Sequence, residues 1–277
     1  MKSTLPVLAA VATTALTSTY AQATIVFQDT FDNDGLAVNA GIGGGMGSRG
    51  ATKSWGDNGN LNFNNGGNSH YQSRAVGYTL NSWQSDGGFI VDVTYNWSGS
   101  VGLANLMAFG LVSDETDFST YGNTAVNASA TGFNPFGFNE PAAASLVYSI
   151  GVNLNTQQGV NTGLNFVNSD GTTPSVAQAL DSTTNFPKNG SDVDVSFSVL
   201  ADGLGGANWS YSINGSQEAT GNIAVFDFSK NYQFAAYGQD NEAARSISSV
   251  TVTAVPEPSA TALLGLGGLA LIMRRRK

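Results

Sequence analysis

The sequence predicts an all-β protein, a two-sheet antiparallel β-sandwich of the jelly-roll type, and three observations support this fold class. Apolar and polar residues alternate at period two along much of the chain, and the segments between are rich in Gly and Asn. No window of about 12 residues between the two chain ends shows the apolar stripe of an amphipathic helix. With 41% apolar and only 11% charged residues, the chain has a core to bury and is not a disordered charged tail.

The clearest strands are segments that place apolar side chains on one face and Asp, Ser, Thr or Asn on the other. Residues 89–97, 193–199 and 209–213 follow this pattern. Asn214 and Gly215 supply the two positive-φ positions of a type I′ turn, so 209–213 and 216–223 form a predicted hairpin. The remaining predicted strands cover 24–29, 71–80, 106–112, 145–153, 232–238 and 247–254.

The sequence also predicts a β-bulge in the last strand and two long loops. In the last strand, Ile247 is out of phase with the apolar residues that follow, which predicts a β-bulge near Ser248 and Ser249. The stretches 32–69 and 113–143 are long, polar and Gly-rich. We expect them to be loops at an end or edge of the sandwich, where binding residues concentrate.

The succession of strands from 191 to 254 resembles the closing strands of concanavalin A-like lectin and glucanase domains. The opening residues 25–32 are similar to the first strand of that superfamily, which pairs with the last. The succession of strands between the two terminal segments predicts that residues 24–254 form a single β-sandwich domain, and the resemblance implies a sandwich of the concanavalin A-like kind.

The N-terminal residues 1–23 have the features of a secretory signal peptide. Lys2 provides a positive start, residues 5–16 are mainly apolar, and Ala21 and Ala23 form the small-x-small pattern that signal peptidase cleaves. We therefore expect cleavage after Ala23 and export of the chain.

The C-terminal end combines a proline motif, an apolar stretch and a basic cluster. Val255, Pro256, Glu257 and Pro258 precede the apolar residues 260–273. The chain then stops at the basic cluster Arg274, Arg275, Arg276 and Lys277. Because the prolines continue neither a strand nor a helix, they predict a domain boundary. A helix over the apolar stretch is about 21 Å long against a hydrocarbon core of about 30 Å, which predicts a short transmembrane helix in the inner membrane, basic end inside.

This arrangement of residues 255–277 resembles the PEP-CTERM sorting signal of Gram-negative bacteria. The resemblance implies that the membrane protease exosortase removes the helix near the Pro-Glu-Pro motif. It further implies transfer of the protein to the cell envelope, the surface or an exopolysaccharide matrix. The sorting segment carries no chemistry of its own.

Composition excludes several classes of site and partner. Cysteine is absent and histidine occurs once, at His70, so disulfides, thiolate nucleophiles and sites with two histidines are excluded. Of the 11 Lys and Arg, five lie outside residues 24–254, as does one of the 20 Asp and Glu, so the net charge of the domain is about −13. Nucleic acid is therefore not an expected partner.

No complete catalytic set is recognisable in the sequence. A glycosidase needs two carboxyl groups about 5–9 Å apart, and only Glu115 with Asp117 begins the pattern of the glucanases of this fold, without the second glutamate. Asp192 and Asp194 share a strand face, which solvent exposure explains. A triad has only His70 available, and no Gly-x-Ser-x-Gly motif accompanies it. We therefore expect a protein that is not an enzyme.

Two kinds of binding residue are candidates. Asp29, Asp32 and Asp34 crowd oxygen ligands into one turn and are candidates for a structural calcium ion, although the spacing is not that of an EF-hand and ordinary turns share this composition. Trp55 and Trp83 lie in polar segments and are candidates for stacking on a sugar ring, the alternative being partly buried loop anchors. Trp97 and Trp209 continue apolar stripes and are expected in the core.

The sequence leaves three functions open. The leading hypothesis is a non-catalytic envelope or matrix protein with weak carbohydrate binding, which accounts for the two terminal segments and the missing catalytic sets. The first alternative is a glycan-cleaving enzyme that uses Glu115 and Asp117. The second is a purely structural surface protein.

Overall fold

Thirteen β-strands make up the regular structure of the residues that the computed structural model describes, and those residues contain no helix. The described residues are 22–31, 61–62, 67–72, 82–98, 106–115, 148–155, 163–168, 178–181, 187, 190–240 and 244–257. The strands are β1 (Thr24–Asp29), β2 (Leu61–Asn62), β3 (Gly67–Gln72), β4 (Gly88–Ser98), β5 (Leu106–Ser113), β6 (Tyr148–Asn155), β7 (Gly163–Asn168), β8 (Gln178–Asp181), β9 (Gly190–Ala201), β10 (Ala207–Ile213), β11 (Ser216–Ile223), β12 (Tyr232–Asp240) and β13 (Ala244–Ala254). Together Ala23–Glu257 form one compact unit.

The strands form two antiparallel sheets. The seven-stranded sheet has the order β1-β13-β4-β9-β10-β11, with β2 paired to β13, and the six-stranded sheet has the order β3-β12-β5-β6-β7-β8. Among the described strands, the chain passes between the sheets six times, from β2 to β3, β3 to β4, β4 to β5, β8 to β9, β11 to β12 and β12 to β13. The first strand pairs with the last, Thr24 opposite Ala254. The predicted two-sheet antiparallel sandwich is confirmed.

One apolar core lies on the facing sides of the two sheets. Along β4 the side chains of Phe89, Val91, Val93, Tyr95 and Trp97 are buried, with at most 2% exposure, whereas Asp92 between them is exposed. Trp209 on β10 is buried as well, so both predicted core tryptophans are confirmed. Each such side chain contributes about 1.5–3 kcal/mol relative to an exposed one.

Two tyrosines in this core keep their hydroxyl groups hydrogen bonded. Tyr95 donates to the carbonyl of Pro187 and Tyr232 donates to the carbonyl of Asp227, both at 2.8 Å. Burial raises the pKa of both phenols above the ordinary value. The phenols therefore stay neutral donors, and the polar ends of these large rings cost little to bury.

The structure confirms the predicted turn and the predicted bulge and shows further shifts of strand register that were not predicted. Asn214 and Gly215 have φ values of 49° and 77°, the positive pair of a type I′ turn between β10 and β11. The register of β13 against β4 shifts between Ile247 and Ser249. A further shift lies between β4 and β9, where Asp192 has a φ of 54°. The alternating pattern around Asp192 gave no indication of this bulge.

The six-stranded sheet departs most from the predicted strands. The strand predicted at 71–80 begins instead at Gly67, and the predicted loop 32–69 contains β2 and the first part of β3. His70 consequently lies within β3, opposite Tyr237, and not at the start of a strand. β7 and β8 were not predicted. Both are short, six and four residues, so only a few alternating positions mark them in the sequence.

Several predicted features lie outside the described residues. They are the signal peptide with Ala21, the segment 258–277 with Pro258 and the basic cluster, and Trp55, Asp32, Asp34 and Asp117. Within the described ranges, no helix is long and apolar enough to cross a membrane.

The type I′ turn provides a test of the hairpin. A Cβ added at Gly215 meets no atom within 4 Å, so Gly215→Ala should act only through its positive φ. We expect a loss of about 1 kcal/mol and a thermal midpoint lower by about 2–4 °C. Circular dichroism melting measures this, and the exposed neighbour variant Ser216→Ala is the control. Equal midpoints for both variants would contradict the turn assignment.

Candidate functional site

The six-stranded sheet is buried on the face that points away from the core, which we call the outer face. Phe109 and Leu111 of β5 belong to the apolar core, whereas Ala108 and Val112, which alternate with them, are equally buried outside it. On β12, Ala235 is buried in the same way next to the core residue Phe234. The described part of this sheet therefore has a second buried surface.

Strand register arranges the outer face in three rows. The middle row runs across four strands through Ala235, Gly110, Gly151 and Asn165. The row on one side of it contains Ala108, Asn153 and Gly163, and the row on the other side contains Gln233, Val112 and Ser149. Because two glycines meet at the centre, backbone forms the floor there. Amide side chains border this floor on both sides.

The described polar side chains of the outer face are neutral. They are the hydroxyl of Ser149 and the amides of Asn153, Asn165 and Gln233, all with at most 1% exposure. Amides carry both donors and acceptors, and a hydroxyl can act as either. Such a surface matches a ligand rich in hydroxyl groups better than an ion.

Gln233 is the residue of this face whose side-chain oxygen and nitrogen both lack a hydrogen-bond partner within the described part of the chain. Its side chain is fully buried, and within the described part of the chain neither Oε1 nor Nε2 has a hydrogen-bond partner. Ser149, Asn153 and Asn165 each have an interaction partner, although the Oδ1 atom of Asn165 has no hydrogen bond within the described residues. A buried donor or acceptor without a partner costs about 1–3 kcal/mol. Within the described residues, no hydrogen bond of the Gln233 side chain offsets this cost.

Sequence patterns could not identify Gln233. It stands between Tyr232 and Phe234 in a strand that was correctly predicted, and period two places it on the face opposite the core. On a half-exposed strand that face points to solvent, so a glutamine there is ordinary. Only the burial of the outer face makes the amide unusual.

Trp83 lies beside β12 and packs on the core. Its backbone N–H and C=O both hydrogen bond with Tyr232, at 2.7 Å each. The indole is partly buried and stacks on Phe27, with ring centroids 5.4 Å apart. One ring face is thus used in packing, which is the geometry of a loop anchor. The role of Trp83 in stacking on a sugar stays a prediction.

Asp29, the first calcium candidate, is already part of a local turn. Its side chain is 4% exposed, and Oδ1 accepts a hydrogen bond of 2.8 Å from the N–H of Phe31, which has a φ of 53°. A carboxylate is the ligand type that calcium prefers, so Asp29 fits the ion by its chemistry. Within the described ranges, no three His, Asp or Glu side chains group together as a metal site. The calcium site stays a prediction.

The carboxylates named as alternative catalytic groups face other partners. Both oxygens of Glu115 lie 2.8 Å from Lys230 Nζ, and the glutamate is half-exposed. The hydrogen bond that Lys230 donates to the Glu115 carboxylate raises the pKa of Lys230 above its ordinary value. On β9, Asp194 accepts a hydrogen bond from Thr94, and Asp192 is exposed at the bulge. These contacts hold surface elements together, and catalysis by Glu115 stays an untested hypothesis.

The proline motif begins on the body of the domain. Val255 and Pro256 are partly buried, and Glu257 is exposed. The N–H of Val255 donates a hydrogen bond of 2.8 Å to the carbonyl of Gly88. The chain thus continues beyond β13 along β4.

The unsatisfied amide provides a stability test. We expect Gln233→Met, which keeps the length of the side chain and removes its donors and acceptor, to stabilise the protein by about 1–3 kcal/mol. The thermal midpoint should rise by about 2–4 °C for each kcal/mol. Gln217→Met on the exposed face of β11 is the matched control and should change little. A lower midpoint for the Gln233 variant would show that the amide is satisfied in the folded protein.

Comparison with known proteins gives one sequence match and several fold matches. A search of curated proteins finds no match. Among solved structures, the carbohydrate recognition domain of Emp47p is similar with 13% identity and a TM-score of 0.44, over 73% of this chain and 85% of that one. A legume lectin-like domain from Entamoeba histolytica has 12% identity and a TM-score of 0.44, over 71% and 83%. The exoplasmic/lumenal domain of VIP36, bound to Ca²⁺ and Man3GlcNAc, has 10% identity and a TM-score of 0.41, over 70% and 77%.

The sequence match covers the C-terminal end. The model of the PEP-CTERM protein-sorting motif matches residues 254–277. This segment contains the prolines, the apolar stretch and the basic cluster in the expected order. The match starts at Ala254, the last residue of β13. The chain therefore carries a PEP-CTERM sorting motif directly after the last strand of its β-sandwich.

Proposed function

We propose that this chain is an exported, exosortase-processed protein of the cell envelope or exopolysaccharide matrix that binds carbohydrate without cleaving it. The sorting motif at 254–277 implies exosortase as the processing partner and passage of the protein through the membrane. Signal peptidase is the second processing partner, acting after Ala23. The transient anchor is the apolar stretch 260–273 in the inner membrane.

The observation that carries the binding role is the buried amide of Gln233 on a neutral, glycine-floored sheet face. Its oxygen and its nitrogen both lack hydrogen-bond partners in the described part of the chain. A sugar hydroxyl can donate to the oxygen and accept from the nitrogen, so one or two hydroxyls satisfy both groups. Asn153 and Asn165 supply further amides across the Gly110–Gly151 pair. A neutral polysaccharide matches this face better than an anionic one.

Burial of the outer face determines the kinetics that we expect. The amides reach a ligand only when the face is uncovered, so binding includes a conformational step. Steps of this kind lower association rate constants below the usual range of about 10⁵–10⁷ M⁻¹s⁻¹. Slow association with weak affinity is therefore the expected behaviour.

Binding is tested with the exopolysaccharide of the producing organism and with a glycan array. We expect retention that Gln233→Met weakens about tenfold, because the variant loses hydrogen bonds to the ligand, while Gln217→Met binds as the wild type does. A melting curve for each variant separates loss of binding from loss of fold.

Two outcomes favour the alternative functions. No retention at millimolar sugar removes the binding role and leaves a structural surface protein. Release of reducing sugar that Glu115→Gln abolishes contradicts the non-catalytic role and favours a glycan-cleaving enzyme.

A structural calcium ion at Asp29, Asp32 and Asp34 forms part of the proposal. After treatment with a chelator, added calcium should raise the thermal midpoint, because an ion that binds only the folded state at 100 times its Kd stabilises it by about 2.7 kcal/mol. Asp32→Asn should reduce this shift and leave the calcium-free midpoint unchanged. An equal shift with magnesium, or none with calcium, would contradict the site.

A further inference from the structure

The first residues of the sorting motif are held by the folded domain. The N–H of Val255 donates to Gly88 O at 2.8 Å, and the hydroxyl of Ser85 donates to Val255 O at 2.6 Å. Both backbone polar groups of Val255 are therefore satisfied by the domain. Ser85 is 7% exposed, so its hydroxyl is positioned by packing rather than free to rotate in solvent.

A close backbone approach at Gly87 adds a steric match. A Cβ at this position would lie 2.3 Å from Val255 O and 2.3 Å from the carbonyl carbon of Pro256. Only glycine allows the motif to lie this close. The position of Gly87 is itself fixed, because its carbonyl accepts a hydrogen bond of 3.1 Å from Ala201 N–H. We call residues 85–88 the holding turn.

The holding turn covers the first two residues of the proline motif and leaves the third exposed. Val255 and Pro256 are partly buried against the domain, and Glu257 is the first exposed residue. Proteins that bind an extended peptide as an added β-strand do so through main-chain hydrogen bonds. Those of Val255 are already used, and Pro256 has no N–H to offer. The accessible part of the motif for a protease therefore begins at Glu257.

We propose that the holding turn determines where the sorting cleavage falls: exosortase cuts C-terminal to Pro256, and the mature domain keeps Val255 and Pro256 as an extension of β13. This inference rests on the proposed processing by exosortase. Ser85 and Gly87 are positioning residues here, since they act through the conformation of the motif and not on the cleaved bond.

The position of the new C-terminus is the first test. The mature protein is isolated from producing cells and its C-terminal peptide is identified by mass spectrometry. We expect an end at Pro256 or at a later residue before the apolar stretch on essentially all chains. A mature end at Val255 or upstream overturns the inference, whereas an intact Lys277 contradicts the proposed processing itself.

Variants of the full chain provide the second test. In Ser85→Ala one hydrogen bond is lost, so hydrogen exchange at the Val255 amide should be about fivefold faster. The mature chains of this variant should end at more than one position, some upstream of Pro256. Gly87→Ala, which displaces the motif sterically, should have a larger effect on both measurements.

The matched control is Ser198→Ala, which removes the 2.8 Å hydrogen bond to Ser210 elsewhere in the same sheet. It should leave both the exchange at Val255 and the single C-terminus unchanged. If Ser85→Ala behaves like this control in both measurements, the holding turn has no role. The exchange experiment needs no exosortase, so it tests the turn even if the chain is not processed.

Discussion

The pairing of β13 is the interaction on which the rest of this domain depends. β13 lies between β1 and β4 and also pairs with β2, so the last strand joins the start of the domain to the centre of the seven-stranded sheet. Its buried residues, Val250 and Val252 among them, belong to the common core. The sorting motif follows this strand without a linker. The processing segment is therefore joined to one of the most strongly paired parts of the fold.

The two sheets differ in the face that points away from the core. In the seven-stranded sheet this face is exposed to solvent, and in the six-stranded sheet it is buried and contains the candidate site. Outer residues of β4 and β9, such as Asp92 and Asp194, are exposed and hydrated. The outer face of the six-stranded sheet is buried instead, so its polar side chains require partners from protein or ligand. Gln233 is buried there without such a partner in the described part of the chain. This buried amide is the observation from which the proposed binding role is argued.

Strands were predicted correctly from the sequence where one face is exposed to solvent and the other is buried in the core. The alternation of apolar and polar residues in β4, β9 and β10 could be recognised because the residues on the outer side contact solvent and are polar. The Asn214–Gly215 turn and the bulge at Ile247 were also readable, since each changes the local pattern directly. β7 and β8 were missed because they are short, six and four residues, and offer few alternating positions.

The sequence by itself determined the all-β class, the main strands, the type I′ turn and the sorting motif, because each depends on residues close together in the chain. Only the tertiary structure decided that Gln233 is buried and that Ser85 and Gly87 hold Val255 and Pro256. Burial and backbone approach depend on which distant segments meet. Ser85 and Val255 are 170 positions apart, and no local pattern relates them.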